Sequence, residues 1–399
     1  MLVAEPMPWL KSAAFTLLLP AGTSHEPEGR QGLCGMTVEL CQRGAGDRDS
    51  REIVEALDFM GVERSCSAST FHTAFNVAVV ADRLPETLAI YADIVRFPML
   101  PEDEVEESRQ TALQELLSIE DDPSHKVFTE LKKLRYGSSH GRSPYGTMQG
   151  IEKSQLEDIA AFHRSNYVPN EAILSVAGSF DWETLKKLIE QLFGNWEPNE
   201  RDARIEVEVR AGQQHIPYES TQTHIALAYD CVPYQHPAFY QSRGLISVLS
   251  DGMSSRLFTE VREKRGLVYT VSANCQTLGD RGSVLTYAGT TGGRAQETLD
   301  VTIDTIQSLR EGVSEGELSR LKSRVKSSLI MEQESSSSRS SQIATDWYYL
   351  GRIVPRQEVL AEIEALTRES LLEHFRQHPP SLWSLVTMGP EAVELKNAV

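Results

Sequence analysis

The sequence predicts an α+β protein built from two homologous αβ domains. Three observations lead to this class: a length of 399 residues, an alternation of strand-like and helix-like segments, and an internal repeat along most of the chain. The composition, 40% apolar and 24% charged, is typical of a globular protein with a substantial core.

The first half of the chain contains strand and helix patterns in alternation. An apolar run over residues 13–19, which stops at Pro20, predicts a buried strand, and the runs at 75–80 and 172–177 predict two more. Amphipathic patterns predict helices over residues 32–43, 50–60, 84–97, 102–120, 155–163 and 181–193. Residues 121–123 are expected to stop the fourth helix, and Ser154 is expected to cap the fifth.

The second half of the chain repeats the first at a nearly constant offset. Residues 86–93 recur at 297–304 with an offset of 211, and residues 101–105 recur at 314–318 with an offset of 213. Further matches follow in the same order, which predicts two copies of one domain of about 190 residues. The predicted boundaries are 1–197 for the N-terminal domain, 198–220 for a polar linker and 221–399 for the C-terminal domain.

Charge and composition exclude several classes of function. The chain has 39 Lys and Arg against 57 Asp and Glu, and this net charge of −18 argues against nucleic acid as the main partner. No apolar run approaches the roughly 18 residues that span a membrane, and the first residues lack the pattern of a signal peptide. Five scattered cysteines fit reduced thiols better than a disulfide framework. We therefore expect a cytoplasmic protein without a membrane partner.

The common catalytic motifs are missing from the sequence. It contains no Gly-x-Ser-x-Gly, no phosphate-binding glycine loop and no Cys-x-x-Cys. His374 and His378 are four residues apart at a predicted helix end, a spacing that suits either a metal pair or two histidines that favour the helix dipole. The second interpretation is preferred because no third ligand is near them in the sequence.

Two other features are more informative. The helix from Glu102 places Glu115 on an otherwise apolar stripe, which indicates a carboxylate kept from a polar site, or one at an interface edge or paired with an arginine. Residues 252–269 predict a cation-rich helix that ends at Gly266 and leads into a strand. From the pattern alone Arg262 is a surface cation, and Tyr269 fits the core equally well.

The block 252–269, the segment 20–29 and the duplicated domain resemble the insulinase/pitrilysin family of zinc metallopeptidases, the inverzincins, in its short-chain, processing-peptidase-like branch. The resemblance extends over nearly the whole chain. It implies a LuxS/processing-peptidase-like metallopeptidase fold, in which each domain is a mostly antiparallel sheet covered by helices. It also implies that the two domains form half of a clamshell that a second chain completes.

The zinc site of the family is degenerate in this sequence. The family binds zinc through His-x-x-Glu-His on a helix and a Glu about 76 residues later. On the register that puts the distant Glu at Glu115, Gly35 and Glu39 stand at the two histidine positions and Val38 at that of the general base. Ser108 stands at the position of an auxiliary Glu. Because only Glu115 remains, the resemblance predicts that this chain binds no metal.

The second half of the family's active site is present. Arg262 and Tyr269, seven residues apart, match the pair that holds the substrate carbonyl and stabilises its oxyanion. The resemblance therefore implies a non-zinc-binding subunit, inactive alone, of a heterodimeric zinc endopeptidase that acts on peptides in trans with a homologous zinc-bearing subunit. A homodimer stays open. The alternatives are a non-catalytic structural or peptide-binding homologue, similar to core subunits of respiratory complexes, and a self-sufficient enzyme with another metal site.

Overall fold

A computed structural model describes residues 1–199 and 206–396, which form two compact units. The first unit comprises Met1–Ser118, residues 142–199 and Ile330–Val354. The second unit comprises Ile119–Gly141, residues 206–329 and residues 355–396. Each unit combines one five-stranded sheet with helices, which confirms the predicted class of two homologous α+β domains.

The strands and helices of the described residues follow one another in two similar series. The strands are β1 (Leu2–Pro6), β2 (Ser12–Leu19), β3 (Gly44–Ala45), β4 (Arg48–Asp49), β5 (Glu63–Ala68), β6 (Thr73–Val80), β7 (Ile173–Gly178), β8 (Gly212–Pro217), β9 (Gln222–Cys231), β10 (Val268–Leu278), β11 (Arg281–Thr291) and β12 (Ser384–Gly389). The helices are α1 (Leu33–Cys41), α2 (Ser50–Phe59), α3 (Leu84–Arg96), α4 (Val105–Glu120), α5 (Pro123–His140), α6 (Met148–Lys153), α7 (Leu156–Asn166), α8 (Trp182–Phe193), α9 (Phe239–Ser250), α10 (Ala295–Gln307), α11 (Glu315–Glu332), α12 (Ser336–Leu350), α13 (Arg356–Ala365) and α14 (Arg368–Gln377).

The two sheets have the same topology. The first has the order β1-β7-β2-β6-β5, and the second has the order β8-β12-β9-β11-β10. In each sheet the first two strands pair in parallel and all other neighbours are antiparallel. Corresponding strands occupy corresponding places, so the duplication inferred from the sequence is a duplication of structure.

Both faces of the first sheet are covered, which explains the unbroken apolar run of β2. Phe15 and Leu17 point into the main core of the unit. Leu18, on the opposite face, packs with Ile343 and Ala344 of α12. A strand buried on both faces needs apolar residues at every position rather than at every second one.

The second sheet is covered in the same way by α5. Val127 and Leu131 of this helix pack with Ala226 and Ala228 of β9. Thus α5, from the first half of the sequence, belongs to the second unit, and α12, from the second half, belongs to the first. The predicted boundaries 1–197 and 221–399 follow the repeat in the sequence, whereas the compact units exchange one helix each.

A buried arginine anchors each exchanged helix to its sheet. Arg135 of α5 is fully buried, and its Nη2 lies 2.5 Å from Asp230 Oδ1 while its Nε donates to Ser283 Oγ at 2.8 Å. Arg339 of α12 is bound by Glu5 in a bidentate ion pair, with Nη2–Oε2 at 2.5 Å and Nε–Oε1 at 2.9 Å. Charge-assisted bonds of this kind hold a helix in one register as well as in contact.

Several local predictions differ from the structure. Asp122 was expected only to stop the helix before it. Its side chain also accepts hydrogen bonds from the backbone of residues 124 and 125 and so caps α5. The cap of α7 is Gln155, while Ser154 ends α6. The predicted linker contains β8, and residues 200–205 of it lie outside the described residues. No helix in the described parts is long and apolar enough to cross a membrane.

Candidate functional site

The residues at the family's zinc positions surround one pocket of the first unit. Gly35, Val38 and Glu39 share a face of α1 because they are three and four residues apart. Ser108 and Glu115 reach the same pocket from α4. The pocket has a volume of about 280 Å³. The structure thus brings together all five positions that the sequence register selected.

The other face of α1 fixes the helix in place. Met36 and Leu40 are fully buried in the core of the unit. At the start of the helix, Gly32 N and Cys34 N each donate to Glu26 Oε1 at 2.9 Å. Burial raises the pKa of Glu26 to about 7. The two hydrogen bonds and the charge of Arg142 lower this pKa, but burial has the larger effect.

The side chains in the pocket do not fit zinc. Gly35 offers no ligand, and a Cβ at this position would lie 3.7 Å from Pro144 O. Val38 is apolar and cannot accept a proton from water. Glu39 is engaged by Arg43, with Oε1–Nη2 at 3.0 Å. Across residues 1–199 and 206–396, no group of three or more His, Cys, Asp or Glu side chains is arranged to hold a metal ion.

Glu115 lies on the pocket wall and is accessible to solvent, not buried on an apolar stripe as the pattern predicted. Within the described residues its carboxylate has no hydrogen bond or ion pair, so the arginine-paired interpretation is not realised there. Partial burial, followed by repulsion from Glu39, raises its pKa. Ser108, two turns earlier on α4, is fully buried, and its Oγ has no hydrogen-bond partner in the part of the chain that is described.

Cys66 also lines the pocket, although no pattern in the sequence predicted it there. It lies on β5, an edge strand with no apolar alternation, and its Sγ accepts a bond from Gln42 Nε2 at 3.4 Å. Burial and then the charges of Glu39 and Glu115 raise the pKa of the thiol, outweighing the bond from Gln42. One signal could have predicted β5: a turn precedes the predicted strand at 75–80, and such a turn implies a second strand before it that forms a hairpin.

Arg262 and Tyr269 lie side by side in the second unit. Arg262 belongs to a π-helical segment, Phe258–Glu263, and Tyr269 is the second residue of β10. Between them Gly266 has φ of 57°, a left-handed conformation that glycine adopts without strain, and it lets the chain reverse. The Arg262 guanidinium carbon is 4.9 Å from the Tyr269 ring centroid and 4.8 Å from that of Phe258.

The guanidinium of Arg262 differs from its cationic neighbours in its partners. Lys264 and Arg265 both form ion pairs with Glu260, at 2.6 and 2.9 Å. Arg262 has no such carboxylate among the described residues and is held by aromatic faces alone. The Tyr269 side chain is 82% exposed. Guanidinium and phenol donors are therefore placed together and remain free to bind a ligand oxygen.

The two histidines predicted at a helix end lie at the end of α14. The rings of His374 and His378 are 4.9 Å apart at the end of α14. Burial, then the like charges of His378 and His236, lower the pKa of His374 to about 4. A neutral imidazole gains little from the helix dipole, so this lowered pKa weighs against the dipole interpretation for His374.

The comparisons with known proteins concern both halves of the chain. The model described as Insulinase (Peptidase family M16) matches residues 2–147, and that described as Peptidase M16 inactive domain matches residues 153–325. The "Uncharacterized zinc protease YmxG" of Bacillus subtilis is 26% identical over 98% of this chain and 96% of its own. An "Uncharacterized zinc protease" of Rickettsia felis is 25% identical over 96% of this chain and 94% of its own.

Solved structures show the same fold. The crystal structure of a peptidase M16 inactive domain from Pseudomonas fluorescens has a TM-score of 0.89 and 20% identity, covering 98% of this chain and 95% of that one. A protease from Helicobacter pylori has a TM-score of 0.88 and 20% identity, covering 98% and 96%. The two family matches span most of the chain, the first containing the pocket and the second the Arg262–Tyr269 pair. The chain therefore belongs to the insulinase family, peptidase family M16, as a member without the family's zinc motif.

Proposed function

We propose that this chain is the non-zinc-binding subunit of a heterodimeric zinc endopeptidase of the cytoplasm. One observation carries the proposal: the Arg262 guanidinium lies against the rings of Phe258 and the exposed Tyr269, and it has no carboxylate partner among the described residues. The relatives named zinc proteases support peptide hydrolysis as the reaction class.

The pair would act on the substrate carbonyl. In peptide hydrolysis the carbonyl oxygen gains negative charge, and preorganised donors that face it lower the barrier. Arg262 offers a charged, planar donor whose orientation is set by the rings of Phe258 and Tyr269. A homologous subunit with His-x-x-Glu-His would hold zinc and supply the attacking water and its base. This chain would also enclose half of the space in which peptides bind.

Reconstitution tests the proposal. The chain is mixed with a family member that carries His-x-x-Glu-His, and cleavage of a fluorogenic peptide is followed. Arg262→Ala is expected to lower kcat by about 10²–10³, the loss measured for an oxyanion donor elsewhere. Tyr269→Phe keeps the ring that Arg262 stacks on and removes only the hydroxyl, so it is expected to cost less.

Lys264→Ala is the matched control, since it removes a cation of the same turn that is paired with Glu260. It is expected to leave kcat within about twofold of the unaltered assembly, as surface ion pairs contribute little. Full activity of the Arg262→Ala assembly, with assembly itself intact by size-exclusion chromatography, would exclude the catalytic role in trans.

A second candidate, a non-catalytic peptide-binding homologue, is favoured by the pocket on α1 and α4. It keeps a volume of about 280 Å³ although the metal ligands are gone, and Glu115 on its wall has no partner among the described residues. This function predicts peptide binding by the isolated chain that Glu115→Gln weakens, with no cleavage in any mixture with zinc-bearing relatives.

A further inference from the structure

We propose that the second unit binds a small oxyanion, a phosphate or a carboxylate, in a pocket that neither Arg262 nor Tyr269 lines. The pocket has a volume of about 180 Å³. Its walls are the end of α9, the loop 252–255 and the first half of α11. The residues that carry the proposal are Ser255 of the loop and Arg320 and Arg324 of the helix.

Two unpaired guanidinium groups face this pocket. Arg320 and Arg324 are four residues apart and therefore share one side of α11. Neither has a hydrogen bond or ion pair within the described residues, whereas Lys322 and Lys326 of the same helix are both bound by Glu364. Because neither is paired among the described residues, Arg320 and Arg324 make this spot locally positive although the chain as a whole has a net charge of −18.

The carboxylates on the pocket wall are already neutralised by other arginines. Glu317 binds Arg256 through both oxygens, with Oε1–Nε at 2.7 Å and Oε2–Nη2 at 3.0 Å. Hydrogen bonds and the charge of Arg256 outweigh the effect of burial and lower the pKa of Glu317 to about 2, so it remains ionised. The second carboxylate, Asp251, pairs with Arg243, with Oδ2–Nη2 at 3.7 Å. The charges of Arg320 and Arg324 are thus left uncompensated.

A buried hydroxyl on the opposite wall adds a neutral donor. Ser255 is 5% exposed, and its Oγ has no hydrogen-bond partner among the described residues. A buried hydroxyl without a partner is costly, and a bound oxygen atom would satisfy it. Three donors from two elements thus surround one space, which suits an anion with two or more acceptor oxygens.

Glycine at position 252 permits the close approach of the loop to Arg324. Gly252 has φ of 90°, a conformation that side chains disfavour, and a Cβ there would lie 2.5 Å from Arg324 Nη1. The guanidinium therefore rests directly against the loop. Because the loop continues into the segment that carries Arg262, a bound anion would hold the start of that segment in place. The site does not depend on a zinc-bearing partner.

Calorimetric titration of the full chain at pH 7 and constant ionic strength tests this site. One arm uses sodium phosphate; the other uses acetyl-glycyl-glycine, with its amide as the uncharged comparison. Saturable binding in at least one arm is expected, and Arg320→Gln and Arg324→Gln are each expected to weaken it about tenfold or more, as bonds to charged groups are strong. Ser255→Ala is expected to weaken binding severalfold without lowering the stability of the free chain.

Lys326→Gln is the matched control, because it removes the same charge from the same helix at a position that does not line the pocket. It is expected to change affinity less than about twofold, since its charge is screened by solvent. Binding of phosphate alone identifies a phosphoryl ligand, and binding of the peptide acid but not its amide identifies a carboxylate. No saturable binding below about 10 mM in either arm overturns the proposal. So does equal weakening by Lys326→Gln and Arg324→Gln.

Discussion

Restoring the family's zinc motif on α1 is expected to create a zinc site that uses Glu115 as its distant ligand. The variant is Gly35→His, Val38→Glu and Glu39→His. The backbone at position 35 accepts a side chain, since a Cβ there would make an ordinary van der Waals contact with Pro144 O at 3.7 Å. Glu115 faces the same pocket and has no partner to release among the described residues.

The three substitutions change the stability of the metal-free chain by opposing amounts. Replacing the helical Gly35 by His gains less than about 0.5 kcal/mol, because His is itself a modest helix former, whereas losing the buried Val38 costs about 1.5–3 kcal/mol. Loss of Glu39 costs less than about 1 kcal/mol, because Arg43 keeps ion pairs with Glu104 and Glu107. Zinc at a free concentration of a hundred times its Kd stabilises the folded variant by about 2.7 kcal/mol. For a unit of about 200 residues this is a zinc-dependent rise in Tm of about 5–10 °C.

The assay is metal content together with thermal unfolding. The purified variant is expected to retain about one zinc per chain with Kd below about 1 µM, and to lose it when Glu115→Gln is added. The unaltered chain serves as the control and is expected to show no zinc-dependent rise in Tm. Zinc that survives Glu115→Gln would refute the register of the site. Stoichiometric zinc in the unaltered chain, removed by Glu115→Gln alone, would refute the loss of the site itself.

Two further predictions concern stability. Arg135→Met should lower the unfolding free energy of the second unit by about 3 kcal/mol in urea denaturation, because Asp230 keeps its charge without its partner; an unchanged midpoint would contradict this. Glu26 has a pKa near 7 in the folded chain against 4.5 as its ordinary value, so the folded state binds the proton more tightly and stability falls as pH rises from 4.5 through 7. Glu26→Gln keeps an oxygen that accepts from Gly32 N but does not titrate, so it should remove up to about 3 kcal/mol of this loss of stability with pH. An equal pH dependence of Tm in the variant and the unaltered chain would contradict this.

The elements that the sequence predicted are those with a strong local pattern. The predicted helices at 50–60 and 181–193 correspond to α2 and α8, whose starts carry the side-chain caps Asp49 and Asp181. The run at 13–19 corresponds to β2, because a strand covered on both faces is apolar throughout. In each case the signal lies within one element and does not depend on what packs against it.

The elements that escaped prediction are defined by their neighbours. β5 is polar and exposed and exists because it pairs with β6 at the edge of the sheet. β8 was assigned to a linker because its residues are polar, yet it pairs in parallel with β12. The exchange of α5 and α12 is also non-local, since each helix has the amphipathic pattern of any surface helix and its sheet lies in the other half of the sequence.

The loss of the zinc ligands leaves the fold intact because site and core use different faces of one helix. Met36 and Leu40 of α1 bury their side chains in the core, while Gly35 and Glu39 face the pocket. Gly35 and Glu39 can therefore change without leaving a cavity in the core, whereas Val38 lines the pocket and is also buried in the core, so its replacement is costly. Since the zinc ligands are gone from the pocket face, only the spacing from Glu115 shows where they would stand on α1. The shape of the pocket, by contrast, also depends on Cys66 of β5, which no local pattern connects to α1.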